Sequence, residues 1–248
     1  MKPYHSFFLS VFFSLSLLST SHADGFFDWS SNNIQVLHGN NFKLGDKSRT
    51  LVTIEHVDGW RYGDNFFFIE FIDRNDTSTE VYGEFYPRLS WSKITGNTLP
   101  FSFIQDISLV GGLNAGNLPK ADPYKAYLLG AGISFNVPHM DYLTLDVQAF
   151  KGDSVDTTGI QVTPVWSVPF QLGSLHFLFK GYAEWQSEKA TGGSSTLLTQ
   201  PQLLLDVGRL WNNPSKVYAG IEYHYWHNKF GIKGLTEKVP QAMIMATF

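Results

Sequence analysis

The sequence predicts an all-β protein, an antiparallel transmembrane β-barrel of about 12 strands in the cell outer membrane. Three observations support this fold class: an alternation of apolar and polar residues with a period of two, a series of segments about ten residues long separated by turn signals, and many aromatic residues. Aromatic residues make up 16% of the chain, the same share as charged residues. A bilayer interface favours aromatic side chains near strand ends, so this composition indicates a sheet that crosses a membrane.

The first 23 residues have the features of an export signal. Lys2 gives a positive start, residues 7–18 form an apolar core, and Ser21-His22-Ala23 fits a small-x-small cleavage site. The core is shorter than the ~20 residues that a spanning helix needs. We therefore predict a signal peptide at 1–23 and one barrel domain at 24–248; an N-terminal anchor or a buried helix is the alternative.

The composition excludes several classes of protein. No run of 18 apolar residues follows the leader, so helical membrane spans are not expected. The chain has no cysteine, so an exported protein of this sequence must be stabilised by a large core or a closed sheet. The formal net charge is -4 and no cluster of lysine and arginine is present, which argues against binding to a nucleic acid polymer.

Twelve segments have the composition and length of strands that cross a bilayer. They are 27–37, 49–58, 62–73, 80–91, 101–113, 124–136, 141–151, 157–168, 175–187, 197–207, 216–228 and 238–248. An even number places both termini on the same side of the membrane, which is normally periplasmic. Turn signals are Asp58-Gly59, Gly96-Asn97, Asn136-Val137-Pro138, Gly192-Gly193-Ser194-Ser195 and Asn212-Asn213-Pro214. Pro87, Pro164, Pro201 and Pro240 fall within predicted strands, where we expect strand ends or bulges.

The alternation assigns one face of each strand to lipid and the other to the lumen. In 142–149, for example, Leu145 and Val147 alternate with Asp146 and Gln148. A soluble β-sandwich would have shorter strands, and a lipocalin-like barrel would have the opposite faces, polar outward. Alternation alone does not decide between the two kinds of barrel, but the amphipathic last segment with its aromatic Phe248 favours the membrane barrel.

The sequence provides no constellation for metal binding or catalysis. His224 and His227 are three apart, which places them on opposite faces of a strand, so they cannot chelate one ion. After the leader there is no His-x-Ser, the pattern expected of an outer-membrane phospholipase. The glycine-rich residues 111–116 lack the lysine of a phosphate loop and are predicted to form a loop. We expect no enzyme activity, no cofactor and no metal.

The predicted lumen face combines aromatic rings with ionisable groups. The candidate substrate-binding residues are Asp64, Phe66, Phe68, Glu70, Tyr82, Glu84, Arg88, Glu222 and Trp226. Rings on which a flat base can stack, together with carboxylates that accept from hydroxyls, would suit a nucleoside. Ordinary packing of a narrow lumen explains the same residues, so this choice stays open at the level of residue types.

Three segments resemble the nucleoside-specific channel family of the outer membrane, the Tsx-like channels. They are YGDNFFF at 62–68, YPRLSWSKITG at 86–96 and YHYWH at 223–227, of which the second is the most specific. The resemblance implies a monomeric twelve-stranded barrel with a narrow pore for passive uptake of nucleosides and deoxynucleosides. Its partners would be these solutes and outer-membrane lipid. The other hypothesis is a structural or receptor-type barrel without solute selectivity, plugged by its own side chains.

Overall fold

The computed structural model describes residues 26–73, 79–117 and 123–248, so the predicted signal peptide lies outside the described residues. The strands are β1 (Phe27–Asn40), β2 (Ser48–Trp60), β3 (Gly63–Asp73), β4 (Thr79–Ser90), β5 (Ile104–Asn117), β6 (Tyr124–Phe135), β7 (Tyr142–Gly152), β8 (Gly159–Leu172), β9 (Leu175–Gln186), β10 (Thr196–Thr199), β11 (Gln202–Asp206), β12 (Val217–His227) and β13 (Glu237–Thr247). Short helices are α1 (Trp91–Thr95) and α2 (Glu188–Thr191), with 3-10 turns at Val207–Trp211 and Lys229–Gly231. None of the described helices is long and apolar enough to cross a membrane.

The strands form one closed antiparallel barrel. Strands adjacent in sequence pair with one another except β10 and β11, and β1 pairs with β13, which closes the sheet. The segments β10 and β11 both pair with β9 and with β12, so they are two halves of one barrel strand. Pro201 lies in the gap between them, where it lacks an amide hydrogen for the ladder. The barrel thus has 12 strands, which confirms the predicted fold class and strand number.

Two predicted turns are wrong. Asp58 and Gly59 lie within β2, paired to both β1 and β3, and the chain turns after Trp60 instead. The predicted loop at 111–116 lies within β5. Its glycines make space in the lumen: a Cβ at Gly112 would lie 2.9 Å from Cε1 of Tyr86. The glycine signal therefore reflects the bulk of neighbouring side chains rather than a turn.

The prolines within strands interrupt ladders without changing their register. Around Pro87 the pairing of β4 with β5 resumes in the same register, and the same holds around Pro164 for β8 and β9. Pro240 lies one position beyond the last residue pair of β1 and β13. The expectation of ends or bulges is therefore wrong for Pro87 and Pro164, because these residues lie at gaps in an otherwise regular ladder.

The outside of the barrel is apolar and the inside is polar. Leu129 and Ile221 are 60% and 56% exposed on the outer face, whereas Gln161 and Glu222 on the inner face are 1% and 4% exposed. This is the opposite of a water-soluble barrel and matches the lipid and lumen faces predicted from the alternation. An inner apolar patch, including Leu204, Val239 and Met243, lines part of the wall.

One polar cluster lies on the outer face near the termini. His56 contacts Asn32 Oδ1 at 2.6 Å and Asp58 Oδ2 at 3.1 Å, and Asn65 donates to Asp58 Oδ1 at 2.9 Å. The ring of Phe67 stacks on His56 with a centroid distance of 4.9 Å. These groups satisfy one another, which lowers the cost of polar side chains on a lipid-facing surface.

The segment 86–96, the most specific part of the family resemblance, anchors a helix to one end of the barrel. Ser90 ends β4, and its Oγ accepts from the Lys93 amide at 3.1 Å, so Trp91 begins α1 rather than ending a strand as predicted. Lys93 Nζ donates to the carbonyls of Trp60 and Gly63, each at 2.8 Å. These contacts hold the helix against the end of the barrel.

Candidate functional site

The lumen contains a cavity of about 330 Å³ in its half away from the termini. We call this half distal, and the half at which β1 begins and β13 ends terminal. Aromatic rings and carboxylates line the distal cavity side by side. They include Phe42, Phe68, Tyr82, Tyr124, Tyr182, Trp226 and Phe230, with Glu70, Glu80, Glu84 and Glu184; the cations Arg49 and Lys229 also line the cavity. Such a mixture can stack a ring and accept hydrogen bonds from hydroxyl or amino groups.

Two of these carboxylates, Glu84 on β4 and Glu184 on β9, come together across the lumen and interact electrostatically. Glu84 accepts from Tyr82 Oη at 2.6 Å and from Asn114 Nδ2 at 3.1 Å. Glu184 accepts from Gln186 Nε2 at 3.0 Å. Neither carboxylate has a salt bridge with a described residue, so their hydrogen-bond partners in the described chain are neutral donors.

The distal mouth is narrowed by loops that Glu237 ties together. Its side chain is fully buried and accepts from the backbone amide of Lys43 at 2.8 Å, Nζ of Lys229 at 2.7 Å and Nε2 of His224 at 3.2 Å. Lys43 belongs to the loop after β1 and Lys229 to the loop after β12. Burial lowers the pKa of Lys229, and the Glu237 carboxylate opposes that shift. One carboxylate thus holds two loops against the wall.

An ion pair crosses the lumen below the distal cavity. Lys180 Nζ on β9 lies 3.0 Å from Glu55 Oε1 on β2, with four barrel strands between them on the shorter path round the wall. Glu55 also accepts from Asn33 at 2.7 Å and from Gln35 at 3.4 Å. These contacts form a polar bridge below the cavity.

A second cavity of about 410 Å³ lies at the terminal end, lined in part by Leu178, His176 and Tyr218. Along the inner face of β9, Leu178 borders this cavity and Tyr182 borders the distal one. Lys180 is the inward-facing residue between Leu178 and Tyr182 on this strand. The Glu55–Lys180 ion pair therefore separates two compartments of the lumen.

The terminal half of the lumen contains a paired charge cluster. Arg88 makes two hydrogen bonds to the Asp146 carboxylate, one of them at 2.9 Å, and its Nε lies 3.6 Å from Asp64. The contact reaches from β4 to β7 because Gly132 on β6 leaves the path open: a Cβ there would lie 2.9 Å from an Arg88 nitrogen. Asp146 faces the lumen, as predicted, but it is buried in this ion pair rather than bathed in water.

The structure divides the nine predicted site residues among four places. Five line the distal cavity: Phe68, Glu70, Tyr82, Glu84 and Trp226. Asp64 and Arg88 belong to the terminal charge cluster, and Phe66 lies beside Phe68 with a centroid distance of 6.2 Å without lining the cavity. Glu222 is part of the wall.

The contacts of Glu222 explain why it does not face the cavity. Its carboxylate accepts from the amides of Gln200 at 3.0 Å, Gln202 at 2.8 Å and Gln241 at 2.8 Å. Three donors on neighbouring strands satisfy the charge and hold the side chain against the barrel wall. This residue supports the structure of the lumen rather than a solute.

Several cavity residues were missing from the sequence prediction. The polar face of segment 175–187 includes Tyr182 and Glu184, but the sequence does not show which strands face each other across a barrel. Phe42 lies in a loop and has no periodic signal, yet it is 4% exposed and packs into the mouth. No group of three or more potential metal ligands is present in the described part of the chain.

Comparison with known proteins finds no matching family model and no matching curated protein. Among solved structures, a KdgM porin in complex with disordered oligogalacturonate is similar with a TM-score of 0.51 and 10% identity, covering 87% of this chain and 99% of that one. A second KdgM porin structure has the same TM-score with 9% identity and the same coverage. The translocator domain of the autotransporter NalP from Neisseria meningitidis has a TM-score of 0.40 and 12% identity, covering 92% and 90%. The porin likeness shows that this chain has a porin-like barrel fold.

Proposed function

We propose that this protein is an outer-membrane channel for the passive, selective uptake of nucleosides and deoxynucleosides, with residues 1–23 as its export signal. The observation that supports this proposal best is the distal cavity, in which Phe68, Tyr82 and Trp226 stand beside Glu70 and Glu84. A base can stack on the rings while ribose hydroxyls donate to the carboxylates. The apolar outer face supports the bilayer as the surrounding medium.

The charge of the cavity argues for neutral rather than anionic solutes. Its carboxylates Glu84 and Glu184 have no salt bridge with a described residue, so a phosphate would be repelled. Oligogalacturonate, the ligand of the KdgM porin complex, is a chain of sugar acids and carries negative charge. The similarity of fold therefore gives no reason to assign that solute here, and the lumen favours uncharged nucleosides over anions.

Liposome swelling tests the proposal with adenosine, glucose and adenosine monophosphate. We expect adenosine to enter fastest, although it is larger than glucose, and the nucleotide to enter slowest. Base stacking contributes about 1–3 kcal/mol, so Phe68→Ala should lower the adenosine preference by about tenfold. Phe85→Ala, on the lipid face of the neighbouring strand, is the control and should keep the preference. Equal rates for glucose and adenosine in the unmodified protein would contradict nucleoside selectivity.

A second candidate function follows from the cross-lumen ion pair. If Glu55 and Lys180 close the lumen together with the loops held by Glu237, the protein is a plugged structural or receptor-type barrel. Single-channel recording in a planar bilayer separates the two candidates. Discrete conductance steps support the channel, whereas a correctly folded barrel without any conductance supports the plug.

A further inference from the structure

The side chains around Glu84 and Glu184 are rich in hydrogen-bond acceptors. We define the acidic–tyrosine ring as these two carboxylates with Tyr82, Tyr86, Tyr124 and Tyr182. Each of the four tyrosines interacts electrostatically with both carboxylates. They come from β4, β6 and β9, so the ring encloses the lumen from several sides.

The cationic groups of the lumen have other partners. Lys180 pairs with Glu55, Lys229 with Glu237 and Arg88 with Asp146, while Arg49 donates to the backbone carbonyls of Leu44 and Asp46. Two buried carboxylates that face each other without a positive charge are costly, because burial weakens the hydration that would otherwise stabilise them. The ring is thus suited to an incoming positive charge.

A separate observation indicates a ligand at the same place. Asn114 is 1% exposed and donates its amide hydrogen to Glu84, while its carbonyl Oδ1 has no hydrogen-bond partner among the described residues. Buried polar atoms are nearly always partnered, so an orphaned acceptor whose amide group is bonded to a cavity-lining carboxylate is a position for a donor. Gly112 and Gly116 allow the rings of Tyr86 and Tyr82 to pack directly against β5, since a Cβ at either would lie within 3 Å of a ring carbon.

We infer that the acidic–tyrosine ring is a binding site for a small organic cation, an ammonium or guanidinium group attached to an aromatic frame. The carboxylates and Asn114 Oδ1 would accept from its N–H groups, and the tyrosine rings would contact its charge and its frame. This inference rests on the proposed channel and adds the class of solute that is bound most tightly. The cavity of about 330 Å³ suits a solute with one ring and a short side chain.

Three matched solutes test the inference by current block in planar bilayers: phenethylammonium, 2-phenylethanol and phenylacetate. They share a frame and differ in charge. We expect phenethylammonium to block at a concentration at least about tenfold lower than 2-phenylethanol, and phenylacetate to block least. In Glu84→Gln/Glu184→Gln that difference should disappear, and Glu184→Gln alone should reduce it. Glu188→Gln, an exposed residue of α2, is the control and should keep it.

The outcomes separate this inference from the channel itself. Equal block by the alcohol and the ammonium, or undiminished ammonium block in the double variant, overturns the cation site. Block by calcium chloride in place of phenethylammonium also overturns it, because it would identify an inorganic ion as the ligand. If the folded protein carries no current, the proposed channel fails; if it carries current and prefers adenosine without ammonium block, only the cation site fails.

Discussion

Replacing the partners of the Glu55–Lys180 ion pair one at a time should produce unequal losses of stability. In Lys180→Met the Glu55 carboxylate keeps its hydrogen bonds from Asn33 and Gln35. In Glu55→Leu the Lys180 ammonium loses its ion-pair partner among the described residues and stays largely buried, with 13% of the side chain exposed. Removing one member of a buried pair costs about 3–5 kcal/mol, and compensation by other hydrogen bonds reduces that figure to about 1–3 kcal/mol. The Glu55 variant should therefore be the less stable of the two.

Urea unfolding from lipid vesicles, followed by tryptophan fluorescence, measures these free energies. The double variant Glu55→Leu/Lys180→Met should lose less stability than Glu55→Leu alone, because no buried charge is left without a partner. Its single-channel conductance should rise, since the ion pair that separates the two compartments is removed. Equal costs for the single variants, strictly additive effects, or an unchanged conductance would refute an ion pair that crosses the lumen.

Three further perturbations test other parts of the barrel. Leu145→Arg should destabilise the barrel by about 2–4 kcal/mol in vesicle unfolding, whereas Gln186→Arg, next to the acidic cavity wall, should have a small effect; the reverse order would mean that the faces are inverted. Glu237→Ala should release the loop at 41–47 and expose it to trypsin, and resistance equal to that of the unmodified protein would show that the loop is held in another way. Gly112→Val should cost about 1–3 kcal/mol and reduce adenosine entry, while unchanged entry would show that the ring of Tyr86 has room to move.

The strands and their faces were predictable because a membrane barrel repeats one rule along its whole length. Each residue alternates between lipid and lumen, so the parity around Val147 and Gln148 identified both environments correctly. The turn at Asp58-Gly59 and the loop at 111–116 were wrong because glycine has two uses. It permits turns, and it also makes space for a large neighbour, and the sequence does not distinguish these two uses without the facing strand.

The site was only partly predictable because membership depends on distance across the barrel. Phe66 and Phe68 share a face and a segment, yet only Phe68 borders the distal cavity. Glu222 has the same residue type as Glu84, but three glutamine amides from neighbouring strands hold it in the wall. Parity assigns a side chain to the lumen; its height along the barrel and its cross-strand partners decide whether a solute can reach it.

The charges of the lumen are distributed unevenly along its length, and this distribution gives the order in which a solute from the distal side meets them. Carboxylates without salt bridges, Glu84 and Glu184, line the distal cavity, whereas Arg88 and Asp146 neutralise each other in the terminal half. A solute from the distal side thus meets the attractive site first and the Glu55–Lys180 pair next. Conduction requires binding that is weak enough to allow release. The site lies directly before the Glu55–Lys180 barrier, so a bound solute can pass only if that barrier opens on the time scale of release. The dwell time of a bound solute should therefore shorten when Lys180 is replaced by methionine.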